Sequence, residues 1–254
     1  MIPKLQVNDL SYAYHSLEGE TPALSHISFQ VATGEFAAIV GPSGCGKSTL
    51  LSLLCGLLTP EEGEILIDGA PLSASSSGIG YMLQRDHLLE WRSIRANAAL
   101  GLEIQKKLNA DSRRDVDQML KDYGLAGFEE ARPAELSGGM RQRAALIRTL
   151  ALKPSLLLLD EPFSALDYQT RLSVCDEISA IIRRMGNTAL LITHDLSEAI
   201  SVADRIIVLS SRPGRIKAVM DISFPPECEG SLQWRNSAGF SRYFNQLWES
   251  LRNE

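Results

Sequence analysis

Apolar and polar residues alternate from Leu5 to Leu10 and again from Ile27 to Val31, which predicts two half-buried strands. The turn-prone stretch Glu18-Gly19-Glu20-Thr21-Pro22 lies between them, so the chain is expected to enter its domain as an antiparallel pair. Later apolar runs are continuous instead. Phe36 to Val40, Leu156 to Leu159 and Ala189 to Thr193 carry no polar face, as strands covered on both sides do not. The leucine-rich run Leu50 to Leu58 reads as a helix that opens at about Lys47. Gly63 to Asp68 and Ile79 to Leu83 read as short strands, the second ending at Gln84. From Arg85 to about Glu135 the sequence turns charged and helix-forming, with helices expected over Ile94 to Lys107 and Ser112 to Tyr123. A further helix opens at Ser137 and runs to about Leu152, where Pro154 stops it. Helix Leu196 to Val202 and strand Arg205 to Leu209 follow. Near the end, Phe240, Tyr243, Phe244, Leu247, Trp248 and Leu251 fall on one helical stripe, and this helix is expected to cover exposed core of its own domain.

Strands that alternate with helices predict an α/β domain. The expected architecture is a P-loop core with an antiparallel β subdomain, formed by residues 1–84 and 155–254, into which a helical subdomain, residues 85–154, is inserted. A chain of 254 residues with 44% hydrophobic content can bury such a core. The longest apolar run, Leu50 to Leu58, is far short of a membrane span, and the start MIPKLQV has no signal-peptide hydrophobic region, so a soluble cytosolic chain is expected. A net charge of −6 argues against nucleic acid as a partner. Cysteines at 45, 55, 175 and 228 have no metal-ligand spacing, and neither zinc nor a disulfide is expected. The patch Ser73-Ala74-Ser75-Ser76-Ser77 reads as a surface loop.

The chemistry centres on Gly41-Pro42-Ser43-Gly44-Cys45-Gly46-Lys47-Ser48-Thr49, which fits G-x-x-x-x-G-K-[ST] at every fixed position and lies between a strand and a helix as that motif requires. Its glycines let successive N–H groups point inward, and the helix start adds its positive end, so the loop forms a nest for a polyphosphate. Lys47 is placed for the β- and γ-phosphates and the Ser48 hydroxyl for Mg²⁺. Cys45, inside this nest and beside Lys47, is expected to favour its thiolate. Ser137-Gly138-Gly139 makes a second anion-accepting helix start, with Ser137 as N-cap. The buried run Leu156 to Leu159 ends in Asp160 and Glu161, which can hold Mg²⁺ and face a water respectively, and His194 ends the next buried strand at the same edge. Tyr12 and Tyr14 are either ordinary strand aromatics or a platform for a purine base. Leu88-Leu89-Glu90-Trp91 is either core or a docking surface.

These residues together resemble the ATP-binding subunits of ABC transporters, over nearly the whole chain. The most specific element is Leu136-Ser137-Gly138-Gly139-Met140-Arg141-Gln142-Arg143, joined by Asp160-Glu161 and by Ser164-Ala165-Leu166-Asp167. The resemblance implies that the nucleotide is ATP with Mg²⁺ and that Tyr14 stacks on adenine. It implies that Gly41 to Thr49 is the Walker A loop and that Gln84 contacts Mg²⁺ and senses a membrane subunit. Ser137 and Gly139, with Gly138 between them, correspond to the signature that closes on the γ-phosphate held by the opposite subunit. Asp160 and Glu161 correspond to the Walker B aspartate and catalytic glutamate, Asp167 to the D-loop, and His194 to the switch histidine. Hydrolysis by a head-to-tail homodimer is therefore implied, on the cytoplasmic face of the membrane, with separate permease subunits and indirectly a solute-binding protein. Leu88-Leu89-Glu90-Trp91-Arg92 and Arg212-Pro213-Gly214-Arg215-Ile216 are similar to the nitrate, sulfonate and taurine importer group. Glu90 stands where that group often has proline, Arg132 where an aromatic is usual, and Ile147 and Thr149 where alanines are common.

Overall fold

The structure, a computed structural model, describes residues 2–17, 19–72, 78–164, 166–223 and 234–252. Residues 73–77, expected as a loop, Cys228 and Ala165 lie outside the described residues. Strands β1 (Leu5–Ser16) and β2 (Gly19–Val31) form the expected antiparallel pair but are longer than the alternation indicated. Tyr12 and Tyr14 therefore lie inside β1, not after it, and Thr21 and Pro22 pair with Tyr14 and Ala13 instead of forming a turn. Pro22 is tolerated there because β2 is an edge strand, where a missing N–H breaks no ladder bond to a further neighbour. β4 (Glu62–Ile67) and β5 (Ala70–Pro71) complete a sheet of order β2-β1-β4-β5.

Among the described residues, the second sheet has six strands. It contains β3 (Phe36–Val40), β6 (Ile79–Met82), β7 (Leu156–Asp160), β8 (Thr188–Ile192), β9 (Arg205–Leu209) and β10 (Ile216–Asp221), in the order β10-β9-β3-β8-β7-β6. All neighbours pair in parallel except β10 on β9. Parallel strands keep their carboxyl ends at one edge, so the segments after β3, β6, β7, β8 and β9 converge there.

Alternation along each buried strand divides the core in two. Leu156 and Leu158 face β1 and β2 together with Ala37, Ile39 and the buried leucines of α1 (Lys47–Leu54). Leu157 and Leu159 face the other way, into a cluster that includes α5 (Gly138–Leu150), α6 (Tyr168–Arg184), α7 (Leu196–Val202) and α8 (Ala238–Arg252). The same cluster runs without interruption into α2 (Ile94–Ala98), α3 (Leu100–Ile104) and α4 (Ala110–Asp122), so the helical segment shares the apolar core of the sheet.

Three further elements differ from expectation. The helix expected over Ile94 to Lys107 is broken at Ala99 into α2 and α3, which brings Gly101 onto Leu152, where a Cβ would lie 2.9 Å from the leucine Cδ1. The 17-residue helix α6 and the strand β10 had no counterpart in the reading above. The terminal helix does cover its own domain, burying Phe240, Tyr243 and Leu247 while Trp248 stays exposed. Among the described residues, no helix is long and apolar enough to cross a membrane.

Candidate active site

A cavity of about 790 Å³ opens at the carboxyl edge of the six-stranded sheet, lined by residues of Gly41 to Thr49 together with Glu161 and His194. The loop needs its glycines for distinct reasons. Gly44 sits at φ 79, and Gly46 at φ 102, where a Cβ would also meet the Ala23 carbonyl oxygen at 2.7 Å. Lys47 is buried and its ammonium spans the loop, donating to the carbonyls of Gly41 at 2.8 Å and Pro42 at 2.9 Å. The backbone thereby holds the charge at the cavity.

Cys45 corrects an expectation. Its side chain is 1% exposed, and burial raises its pKa despite Lys47 Nζ lying 3.7 Å from Sγ. Desolvation of a thiolate outweighs the attraction of the neighbouring cation. The group is a packed thiol, not an activated one.

Glu161 follows β7 in the left-handed region at φ 43, an uncommon position for a residue with a side chain. Its N–H donates to the Ile192 carbonyl at 2.8 Å, which ties this turn to the end of β8. Across the gap, His194 Nδ1 lies 3.0 Å from Glu161 Oε2, and Gln84 Nε2 donates to the same oxygen at 3.3 Å. Gln84 also donates to Ser164 Oγ at 3.3 Å. Three strand ends, those of β6, β7 and β8, thus meet on one carboxylate.

Asp160 is half-buried and accepts a hydrogen bond from the Tyr81 hydroxyl at 3.2 Å. Its pKa is raised, chiefly by desolvation, with Tyr81 and Lys47 opposing and Glu161 adding to the rise. A bound cation would favour its ionised form. The donor set of Ser48, Gln84 and Asp160 fits Mg²⁺, which takes few protein oxygens and completes its shell with water and phosphate. Among the described residues, no cluster of three or more His, Cys, Asp or Glu offers an all-protein metal cage. Both hydrogen bonds described for Gln84 use its amide nitrogen, which leaves the carbonyl oxygen for a cation.

Several expected site residues stand outside the cavity. Tyr14 is 43% exposed, packs edge-on against Tyr12 and shares a hydrogen bond with the cavity-lining Thr49 at 3.1 Å. Ser137 is exposed and caps α5, accepting from the Met140 N–H at 3.4 Å. Gly139 is buried against α6, where a Cβ would lie 2.9 Å from Val174 Cγ2. Asp167 caps α6 by accepting from the Thr170 N–H at 3.1 Å, and the Thr170 side chain together with that amide holds its pKa below the ordinary value. The apolar stretch after Gln84 is split, with Leu88 in the core and Trp91 70% exposed.

Some residues at the site were not legible beforehand. Ala23, Arg212 and Leu251 line the cavity from β2, the segment after β9 and the end of α8. Arg212 donates from Nε to the Pro22 carbonyl at 3.1 Å. The segment after Gln84 is held by α5: Arg141 Nε reaches Asp86 Oδ2 at 3.1 Å, and Arg148 donates to the carbonyls of Asp86 at 2.6 Å and His87 at 2.8 Å. No local pattern marks these contacts, because each joins segments far apart in sequence.

The family described as ABC transporter matches residues 24–164. The chain is 44% identical to an uncharacterized ABC transporter ATP-binding protein, YtlC of Bacillus subtilis, over 98% of this chain and 96% of that one. It is 41% identical to the nitrate import ATP-binding protein NrtD of Synechocystis, with 98% and 95% covered. Identity is 43% to the taurine import ATP-binding protein TauB of Yersinia pestis, with 80% of each chain covered. Among solved structures, the dimeric post-hydrolysis state of the ATP-binding cassette MJ0796 bound to ADP and Pi matches with a TM-score of 0.74 and 29% identity, covering 87% of this chain and 100% of that one.

Proposed function

This chain belongs to the ABC transporter family as an ATP-binding, ATP-hydrolysing subunit, and on that premise we propose that it powers an importer of a small solute of the nitrate, sulfonate or taurine kind. The observation that carries the catalytic reading is the convergence of Lys47, Glu161 and His194 on one cavity, with Glu161 and His194 3.0 Å apart. The likeness to nitrate and taurine import proteins over most of the chain supports the solute class.

The loop amides and Lys47 bind and orient the polyphosphate, and Lys47 offsets charge on the transferring group. Glu161 accepts a hydrogen bond from the attacking water and takes its proton as attack proceeds. His194, held against Glu161, donates to the transferring phosphoryl group. Ser48, Gln84 and Asp160 would hold Mg²⁺, which supplies neutralisation of phosphate charge. Tyr14 packs against the base. Ser137-Gly138-Gly139 and Asp167 lie apart from the cavity, so their part in binding ATP belongs to the site of a second copy, in a head-to-tail homodimer. Trp91 and the Gln84 segment face permease subunits at the cytoplasmic side of the membrane, and a solute-binding protein delivers cargo to that permease.

Glu161→Gln tests the assignment. It is expected to keep ATP binding and to slow phosphate release by ~10²-fold or more, the usual range for loss of a positioned base. Lys47→Ala is expected to weaken binding itself. Phosphate release by Glu161→Gln at the wild-type rate would remove Glu161 from the role.

A further inference from the structure

Behind His194 lies a partly buried polar cluster that joins α6 to α7, and none of its members lines the cavity. Glu198 is 4% exposed, and its Oε2 accepts from the Thr193 hydroxyl at 2.6 Å. That hydroxyl in turn accepts from the Asp195 N–H at 3.0 Å. The Thr193 hydroxyl thus uses its one proton on Glu198 and a lone pair on the Asp195 amide. His194 is the residue between.

Both neighbours of His194 are pinned further. The Thr193 N–H donates to the Ile39 carbonyl at 3.2 Å, and Asp195 caps α7 by accepting from the amides of Ser197 at 2.8 Å and Glu198 at 3.2 Å. From α6, Arg171 places Nη1 3.4 Å from Asp195 Oδ2 and Nε 3.9 Å from Glu198 Oε1. Its other terminal nitrogen donates to the Leu166 carbonyl at 2.9 Å, next to Asp167. Arg171 therefore touches both the turn that begins α6 and the turn that carries His194.

Such a cluster is an expensive way to gain stability. Buried ions must be desolvated, and an apolar group of similar volume often stabilises as much or more. Its pairing is also loose, since Arg171 Nε has no hydrogen-bond partner among the described residues. What the cluster does supply is direction, because its hydrogen bonds hold the side chain of Thr193 and the amide and carboxylate of Asp195, the two residues that flank His194.

We propose that Arg171, Glu198 and Thr193 form a positioning unit that holds His194 in register with Glu161 and with the Asp167 turn. This rests on the reading of His194 as a residue that contacts the transferring group. A displacement of about 1 Å at a reacting group can cost up to ~10²-fold in rate, so losing one member is expected to lower kcat about tenfold. ATP binding, which depends on the Gly41 to Thr49 loop, should not follow.

The experiment measures phosphate release by the full chain with Mg-ATP, and nucleotide affinity by titration with a fluorescent ATP analogue. Thr193→Val and Glu198→Gln are each expected to lower kcat about tenfold with KM within about twofold of wild type. Thr193→Ser, which keeps the hydroxyl, should restore turnover. In a His194→Ala background Thr193→Val should cause no further loss, because the unit acts through the missing side chain. Full turnover by Thr193→Val beside an impaired His194→Ala would overturn the proposal, and so would an equal added loss in the His194→Ala background. Wild-type turnover by His194→Ala would instead overturn the reading of the site on which the proposal rests. Should Thr193→Val fail to fold, Glu198→Gln, the same shape without the charge, is judged by the same criteria.

Discussion

Glu198 shows how a single side chain can be held against its own preference. Burial pushes its pKa from 4.5 to about 7, and the Thr193 hydrogen bond and Arg171 only partly oppose that rise. The raised value means that the folded chain binds a proton more readily here than the unfolded chain does. Between about pH 4.5 and pH 7 the folded state is therefore favoured by lower pH, and this contribution is lost as pH rises through 7. Glu198→Gln removes the titration. The melting temperature of wild type relative to Glu198→Gln is expected to fall on going from pH 5 to pH 8, and thermal melts of both proteins across that range check it. A constant difference would mean that the carboxyl is not desolvated as its burial implies. Cys45 follows the same physics, since burial raises the pKa of its thiol.

Helix starts and helix contacts are the next scale. Ser137 caps α5 as its residue type suggests, but the two glycines after it have a second reason to be small. A Cβ on Gly138 would meet Leu166 Cδ2 at 3.0 Å, and one on Gly139 would meet Val174 Cγ2 at 2.9 Å, so α5 begins pressed against the start of α6. Gly139→Ala is expected to destabilise the fold by about 1–3 kcal/mol, the range for overpacking a filled interface, even though alanine is the better helix former. Urea unfolding of the isolated chain measures this, and an unchanged midpoint would show that α6 yields at no cost. Any substitution at Gly139 thus perturbs α6 within its own subunit before it can affect a partner's nucleotide.

At the scale of the whole molecule, the start of α5 does not line the cavity formed by the loop before α1, as the proposed head-to-tail pair requires. The proposed permease contact is Trp91, 70% exposed and only a few residues from Gln84, whose amide reaches the Glu161 carboxylate. An aromatic side chain left in water is a natural interface anchor. Trp91→Ala is expected to reduce co-purification with the permease subunits while leaving the melting temperature of the isolated chain unchanged, because so exposed a ring contributes little to the fold. Wild-type recovery of the complex would place the contact elsewhere.

The sequence by itself determined the loop from Gly41 to Thr49, the carboxylates at the end of β7, the cap at Ser137 and the α/β alternation. Each depends on neighbours within a few residues, where backbone geometry and hydrophobic period act directly. α6 was also within reach, since Val174, Cys175, Ile178, Ile181 and Ile182 form one buried helical stripe. The extent of β1 and β2 was not, because strand length depends on the partner's register and on which strand lies at an edge. Only tertiary structure decided that Cys45 is sealed from solvent, that Gly139 packs on α6, and that Ala23, Arg212 and Leu251 reach the cavity. It alone set Arg171 between the turns at Leu166 and Asp195. Burial and long-range hydrogen bonds are properties of what surrounds a residue, and parallel strand order, not sequence distance, chooses those surroundings.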